Sequence, residues 1–120
     1  MIQQTTTMKA NVFIEDKDID WEVTGTGVKR KIMAYDERLM LVKVSFLKGS
    51  VGPVHQHHHT QITHVQSGAF EVIIGGDKKV LKAGDAFYIP PHVDHGCVCL
   101  EDGILIDVFS PHREDFIQKG

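Results

Sequence analysis

The fold of this chain is decided by one stretch, Gly52-Pro-Val-His55-Gln-His57-His-His-Thr-Gln61-Ile-Thr-His-Val-Gln-Ser-Gly68. Side chains alternate along a β-strand with a period of two, so an extended segment points His55 and His57 to one face. Gln61 follows at the start of the next apolar segment, where its side-chain carbonyl oxygen can reach the same point. The stretch therefore predicts a metal site built on β-structure, with His55, His57 and Gln61 as ligands.

A second stretch supplies a fourth ligand candidate. It runs from Gly84 to Gly96 as Gly-Asp-Ala-Phe-Tyr-Ile-Pro-Pro-His-Val-Asp-His-Gly, and its Pro-Pro turn fixes the loop before His95. Three imidazoles and one neutral oxygen leave positions open on an octahedral ion, which suits a divalent transition metal such as Ni, Zn, Mn, Fe or Co. Open positions can hold a substrate, so the site is predicted to be catalytic rather than structural.

The remaining histidines are not predicted to be ligands of this site. By the same alternation His58 points away from His57, while His59 is either a third inward-facing group or part of the turn. We expect His64, His92 and His112 to lie beside the site or on the surface.

The rest of the chain has an all-β pattern, because short segments rich in Val, Ile, Phe and Leu alternate with glycine-bearing turns. The pattern predicts eight strands, at 29–35, 39–47, 61–66, 70–74, 78–81, 86–89, 96–100 and 104–109. It predicts turns at 36–38, 48–53, 67–68, 75–77, 83–85 and 101–103. Such strands suit a sandwich, a jelly roll or a small barrel. A short helical turn is expected at 111–119.

Length and composition fit one globular domain. The chain has 120 residues, which is enough for one hydrophobic core but not for two. Residues 1–20 are predicted to form an N-terminal arm or an edge strand, and residues 21–120 a single domain. Cys97 and Cys99 lie two apart in a predicted strand, so they point to one face and are expected to be small buried thiols.

The charge pattern argues against several partners. The formal net charge is −3, with acids and bases interspersed, so there is no basic stripe for nucleic acid. No apolar run approaches the ~20 residues of a membrane-spanning helix, and no membrane partner is expected. Residues 1–7 lack the basic and apolar regions of a signal peptide, so the protein is predicted to be cytoplasmic.

The two histidine-bearing stretches resemble the two motifs of the cupins, in which a His-x-His pair, a carboxylate or amide and a later His meet inside a β-barrel. The match extends to the flanking glycines and to the Gly-Asp and Pro-Pro turns. It implies a cupin double-stranded β-helix, a jelly-roll barrel, with the metal set His55, His57, Gln61 and His95. Cupins usually have glutamate in place of Gln61, whose neutral carbonyl is expected to bind the ion less tightly. Cys99 stands where the second motif often ends in asparagine, a change expected to affect packing only.

Within the cupins, the chain resembles the KdgF family of small single-domain proteins from about residue 21 to residue 116. The most specific part is the closing run Asp-Val-Phe-Ser-Pro-His-Arg-Glu-Asp-Phe at 107–116. The resemblance implies action on the 4,5-unsaturated uronate monomers that pectin and alginate lyases release, which are converted to the linear ketonised form. It also implies a reaction pocket lined by Asp107, Phe109 and Arg113.

One departure from the KdgF family is visible in the run His58-His59-Thr60, where that family usually has Pro-His-Glu. Substrate preference or metal affinity is therefore expected to differ in this chain.

Asp107 is predicted to carry the proton in this metal-assisted, isomerase-type reaction. It lies two residues before Phe109 on one face of an otherwise apolar strand, which points it into the barrel, where burial raises the pKa of a carboxyl group. Phe109 would stack against the sugar or exclude water, and Arg113 would orient Asp107 or pair with the substrate carboxylate. The alternatives are an exposed Asp107, and an Arg113 paired with Glu114 or Asp115 on a tail helix.

Two other functions fit the same sequence, because the cupin fold hosts many reactions. A metal-dependent dioxygenase would also use three histidine ligands with open positions, and oxygen uptake would distinguish it. A non-catalytic sugar-acid binding module would not need the proton-transfer group that Asp107 offers. A homodimer is expected as well, because cupins of this size usually pair through an edge strand and unpaired edges favour association.

Overall fold

A computed structural model describes residues 11–117 of the chain. Within them the elements are a 3₁₀ turn at Asp16–Asp18, β1 Glu22–Gly25, β2 Val28–Tyr35, β3 Met40–Phe46, β4 Val51–His55, β5 Thr60–Ile74, β6 Asp77–Lys82, β7 Ala86–Ile89, β8 His95–Ser110 and α1 Glu114–Ile117. The prediction of an all-β fold with a short helical turn near the C-terminus is confirmed. Residues 1–10 of the predicted arm and residues 118–119 of the predicted helical turn lie outside the described residues.

The eight strands form one antiparallel sheet that is organised around β5 and β8. These two strands pair from Thr60↔Ser110 to Ile74↔His95. On its other edge β5 pairs first with β7 and then with β6, while β8 pairs first with β4 and then with β3. The register of β5 against β8 shifts near the middle of both strands. Because such bulges bend a strand, β5 and β8 each contribute to two layers, which is the jelly-roll arrangement.

The long strands correct two predicted turns. The sequence pattern ends strands at 67–68 and 101–103, but β5 and β8 continue through both places. A Cβ on Gly103 would collide with the carbonyl oxygen of Ser67, and one on Gly68 would lie 2.6 Å from carbonyl oxygens of β8. Gly68 also has a φ of 82°, which favours glycine. The glycines therefore mark a bulge with close backbone approach rather than a chain reversal.

The sequence pattern also misses two strands. It does not predict β1, and it assigns the first residues of β4 to a turn at 48–53. β4 pairs irregularly with β8, with a register shift before His55. Because β4 ends at His55, His57 lies in the loop that follows. The prediction that both histidines share one face of one strand is therefore wrong, although their side chains still meet.

Two apolar clusters fill the interior, and both draw on β3 and β8. The larger contains Phe46, Val65, Phe70, Val72, Cys99 and Leu105. The smaller contains Met40, Val42 and Phe109. These residues occupy inward-facing positions, so burying them fixes which face of each strand turns into the barrel. Phe109 brings the smaller cluster to the functional site.

The two cysteines are free thiols, with Cys99 buried and Cys97 partly buried. Burial raises the pKa of both thiols, that of Cys97 to about 11. Both groups are therefore protonated at neutral pH, in agreement with the prediction of small buried thiols.

The 3₁₀ turn is attached to the sheet by a shared carboxylate. Asp16 accepts hydrogen bonds from Nζ of Lys43 at 2.9 Å and from Nζ of Lys31 at 3.2 Å. These bonds hold the turn against β2 and β3 and lower the pKa of Asp16. The described part of the chain holds no helix with the length and apolarity that a membrane crossing requires.

The close backbone approach of β5 and β8 at Gly68 and Gly103 provides a test of the fold. We expect Gly103→Ala to lower the free energy of unfolding by about 1–3 kcal/mol, because the added methyl group meets fixed backbone. The control is Gly25→Ala, where nothing lies within 4 Å of the new Cβ and the change should stay within about 0.5 kcal/mol. Urea denaturation measures both. Equal stability of the two variants would contradict the close backbone approach at Gly103.

Candidate metal centre and active site

Three histidines meet where β4 ends and β8 begins. His55 and His95 are cross-strand partners in register, and His57 reaches them from the loop after β4. The ring centroids of His55 and His95 are 4.4 Å apart, and those of His57 and His95 are 4.8 Å apart. One ring nitrogen of each lies within 4.8 Å of the other two. Such a convergence of imidazoles is a candidate metal centre.

Backbone carbonyl groups fix the orientation of all three rings. The Nδ1–H groups of the histidines donate to the carbonyl oxygens two residues away, at 2.8 Å for His55, 3.2 Å for His57 and 2.9 Å for His95. A carbonyl oxygen can only accept, so each proton lies on Nδ1 and each Nε2 keeps its lone pair. This is the arrangement in which an imidazole can bind a metal through Nε2.

Gln61 brings an oxygen to the same place. Its Nε2 donates to Thr63 Oγ1 at 2.8 Å, which leaves Oε1 facing Nε2 of His57 at 3.1 Å. Burial lowers the pKa of His57 to about 4, helped by the charge of Arg113, so this imidazole is neutral at physiological pH. Two acceptor lone pairs therefore face each other at 3.1 Å, and a bound cation would satisfy both. The donor set of three Nε2 atoms and one Oε1 fits a divalent transition metal ion.

Asp107 lies deeper in the barrel, directly across from β5. It is the register partner of Thr63, whose hydroxyl group donates to Oδ1 at 2.6 Å. Burial raises the pKa of Asp107 to about 6, although the Thr63 hydrogen bond and the charge of Arg113 act in the opposite direction. The side chain borders a cavity and remains partly accessible. The alternative of an exposed Asp107 on the outer face is therefore wrong.

Arg113 covers one side of the site. Its guanidinium group donates to both carboxylate oxygens of Asp115, from Nε at 3.0 Å and from Nη2 at 2.8 Å. The same group lies 5.1 Å from the ring centroid of Phe109 and 4.2 Å from that of Phe116. Arg30 lies 3.9 Å from the Phe116 centroid, so two guanidinium groups contact this ring. The alternative pairing of Arg113 with Asp115 is thus present, and it holds a buried Arg113 at the pocket.

One cavity joins these groups. It has a volume of about 140 Å³ and six of the seven predicted site residues line it: His55, Gln61, His95, Asp107, Phe109 and Arg113. His57 adjoins it through contacts with Gln61 and His95. A larger groove of about 750 Å³ runs along the 24–28 and 46–53 segments, but among its lining residues only Lys48 is charged. The smaller cavity is therefore the candidate active site, and the individual roles of its residues stay predictions.

Sequence reasoning missed several residues that shape the site. Thr63 carried no signal beyond its polar character within an apolar strand, and it proves to be fully buried against Asp107. His59 is buried and donates from Nε2 to Glu114 at 2.9 Å, while His58 is exposed and stacks on it at 3.9 Å. Neither belongs to the three-histidine group.

The other three histidines lie outside the site. His64 and His92 are exposed, and His112 is partly buried and stacks on Tyr35 with 5.4 Å between ring centroids. This agrees with the expectation that these histidines lie beside the site or on the surface.

Comparison with known proteins assigns the chain to a family. Residues 42–109 match the family described as the cupin domain, which is more than half of the chain. The chain belongs to the cupin family, and the predicted cupin fold is confirmed.

Particular members of that family are close relatives. Over 107 residues the chain is 49% identical to the pectin degradation protein KdgF of Dickeya dadantii (strain 3937), a match that covers 88% of this chain and 96% of that protein. The structure of KdgF from Halomonas sp. matches with a TM-score of 0.86 at 46% identity, covering 89% of this chain and 99% of that one. An RmlC-like cupin from Shewanella frigidimarina NCIMB 400 matches with a TM-score of 0.88 at 48% identity, covering 91% and 98%. The resemblance to KdgF is therefore confirmed.

The hydrogen bond from Thr63 to Asp107 provides a test of the site's electrostatics. Thr63→Val removes a donor that stabilises the carboxylate, so in metal-free protein the pKa of Asp107 should rise further above its value of about 6. A carboxyl-carbon NMR titration measures this shift. Thr24→Val, on the exposed strand β1, is the matched control and should leave the titration unchanged. A lower or unaltered pKa of Asp107 in the Thr63 variant would refute the assignment.

Proposed function

We propose that this protein is a metal-dependent enzyme that converts 4,5-unsaturated uronate monomers into linear ketonised 4-deoxy-5-hexulose uronates. The observation that carries the proposal is a partly buried carboxyl group, Asp107, that shares one cavity with the His/Gln donor set and a buried cation, Arg113. The similarity to KdgF proteins, one of them described as a pectin degradation protein, supports the same substrate class.

The reaction needs a group that can move one proton. The substrate ring is a hemiacetal at C1, joined through its oxygen to the C4=C5 double bond, with the C6 carboxylate beside it. Ring opening removes the proton of the C1 hydroxyl, forms the C1 carbonyl and breaks the bond to the ring oxygen, which leaves as an enolate. Protonation at C4 then gives the ketone at C5. The proton lost at C1 is recovered at C4, so the reaction is an isomerisation without an external oxidant.

Asp107 is the proposed proton carrier. Because its pKa is raised to about 6, the carboxylate form predominates at neutral pH and can accept the C1 hydroxyl proton. The same elevation makes the acid form a competent donor to C4, since general acid–base catalysis is efficient when the pKa lies near the working pH. Thr63 holds Oδ1 at 2.6 Å, which keeps one carboxylate oxygen positioned while the other serves the substrate.

Three imidazoles and one amide oxygen are the proposed ligands of the metal: His55, His57, His95 and Gln61. A divalent transition metal ion held there would supply Lewis-acid stabilisation of the enolate charge that develops on the ring oxygen. The Nδ1 hydrogen bonds to backbone carbonyls orient each ring and leave its Nε2 free to bind.

Arg113 and Phe109 are proposed to bind the sugar. The N–H groups of Arg113 that do not bond Asp115 can donate to the C6 carboxylate, a geometry that suits a guanidinium group. Asp115 offsets the charge of the free arginine, and Phe109 and Phe116 stack with it. The buried Phe109 ring presents an apolar surface to the sugar and excludes water.

The first test of this function is the loss of ultraviolet absorbance of lyase-generated unsaturated uronate, since the conjugated double bond disappears on conversion. We expect wild-type protein to accelerate the loss, and Asp107→Asn to lower kcat by at least about 100-fold, because it removes the proton carrier. Asp20→Asn, at an exposed position, is the matched control. No acceleration by wild-type protein would refute the function and would direct attention to oxygen uptake and to ligand binding without turnover.

Metal removal provides a separate test. Protein stripped of metal with a chelator should lose its activity. Titration with one kind of divalent ion at a time should restore the activity when one ion is bound per main centre, and the ion that does so identifies the metal. His95→Ala removes one of the four ligands and should weaken that ion's binding by at least about ten-fold. Full activity of protein shown by mass spectrometry to contain no metal would contradict the assignment. The homodimer and the cytoplasmic location stay predictions.

A further inference from the structure

A second group of metal-binding side chains lies outside the candidate active site. It consists of His58 and His59, from the loop between β4 and β5, and Glu114, the first residue of α1. One donor atom from each of the three lies within 4.8 Å of the other two. The proposed uronate reaction uses none of these residues.

Two of the donors are already held in position. Nε2 of His59 lies 2.9 Å from Oε1 of Glu114. The side chain of His59 is only 4% exposed, whereas that of Glu114 is 55% exposed, so the pair faces solvent on the carboxylate side. Nδ1 of His59 is buried and has no hydrogen-bond partner among the described residues. An ion arriving from solvent would therefore meet Nε2 and the carboxylate. Its binding would replace the proton that Nε2 donates to Glu114, and the imidazole would carry its proton on Nδ1 instead.

The distance between Nε2 of His59 and Oε1 of Glu114 matches that of neighbouring ligands on one ion. Two ligand atoms that each lie about 2.1 Å from a divalent ion are about 3 Å apart when they occupy adjacent positions. The third donor belongs to His58, whose exposed ring stacks on that of His59 at 3.9 Å between centroids. Because His58 is exposed, rotation of its side chain can bring a ring nitrogen to the same ion.

The local charge also suits a cation. The three side chains combine one carboxylate with two imidazoles, a set that binds zinc and other first-row divalent metals. Arg113, which carries a fixed positive charge, is adjacent to Glu114 in the chain. Its guanidinium group is bonded to both carboxylate oxygens of Asp115, so its repulsion of a cation is offset.

We propose that His58, His59 and Glu114 form a second site for a divalent cation of the zinc type, separate from the main centre. A bound ion would join the loop that carries His57 to the segment that carries Arg113. The site would thereby fasten one wall of the active-site cavity to the metal-bearing loop.

The test counts ions and does not depend on turnover of any sugar. Full-length protein, prepared with an affinity tag that contains no histidine, is stripped of metal and titrated with Zn²⁺ by calorimetry, and bound zinc is counted by mass spectrometry. Wild-type protein should bind two ions per chain. His58→Ala and Glu114→Ala, both at exposed positions, should each retain the main-centre ion and weaken the second by at least about ten-fold. The matched control is His64→Ala, which changes an exposed histidine on β5. This variant should still bind two ions per chain.

A complementary variant separates the two sites. The triple substitution of His55, His57 and His95 by alanine should still bind one Zn²⁺, provided that circular dichroism shows a folded sheet. The proposal is overturned if wild-type protein binds a single ion that this triple variant loses. It is equally overturned if His58→Ala and Glu114→Ala bind zinc with the stoichiometry and affinities of the wild type, because the His59–Glu114 contact would then be a hydrogen bond only.

Discussion

The antiparallel pairing of β5 with β8 determines where every part of the candidate site lies. The two strands stay in contact from Thr60↔Ser110 to Ile74↔His95, and each bends at a bulge so that it serves two layers of the jelly roll. One end of the ladder sets His95 at the mouth of the barrel, and the other sets Thr63 opposite Asp107. A shift of one residue would turn Asp107 to the opposite face of β8, because side chains alternate.

That register also produces a continuous polar path from the candidate metal centre to Asp107. Gln61 directs its oxygen at His57 and its nitrogen at Thr63, and Thr63 in turn bonds Asp107. The Gln61 amide nitrogen, the Thr63 hydroxyl group and Asp107 Oδ1 each have a hydrogen-bond partner on this path. Gln61 Oε1 and His57 Nε2 face each other as two acceptors, which a bound cation would satisfy. The path couples the orientation of Gln61, a proposed metal ligand, to the position of Asp107, the proposed proton carrier. An amide has both an acceptor and a donor, whereas a glutamate carboxylate at this position would only accept.

The C-terminal segment completes the pocket through side-chain contacts rather than through the sheet. Arg113 is fixed by Asp115 and stacks with Phe109 and Phe116, and Arg30 from β2 also contacts the Phe116 ring. Cation–π contacts of this kind contribute about 0.5–2 kcal/mol each, depending on how far they are desolvated. The short helix α1 is therefore anchored by its side chains, and a four-residue helix would not be stable without such contacts.

The sequence by itself determined the all-β class, the free thiols and the charged and hydrogen-bonding side chains that line the cavity. It could do so because these depend on local composition and on motif spacing around His55, Gln61, His95 and Asp107. The tertiary structure alone decided that Gly68 and Gly103 mark a bulge where two long paired strands approach closely, and not two turns. A glycine signal is the same for a chain reversal and for close backbone approach, and only the partner strand distinguishes them. The tertiary structure alone also paired Thr63 with Asp107, because hydrogen bonds between residues far apart in the chain follow from register, which no local pattern encodes.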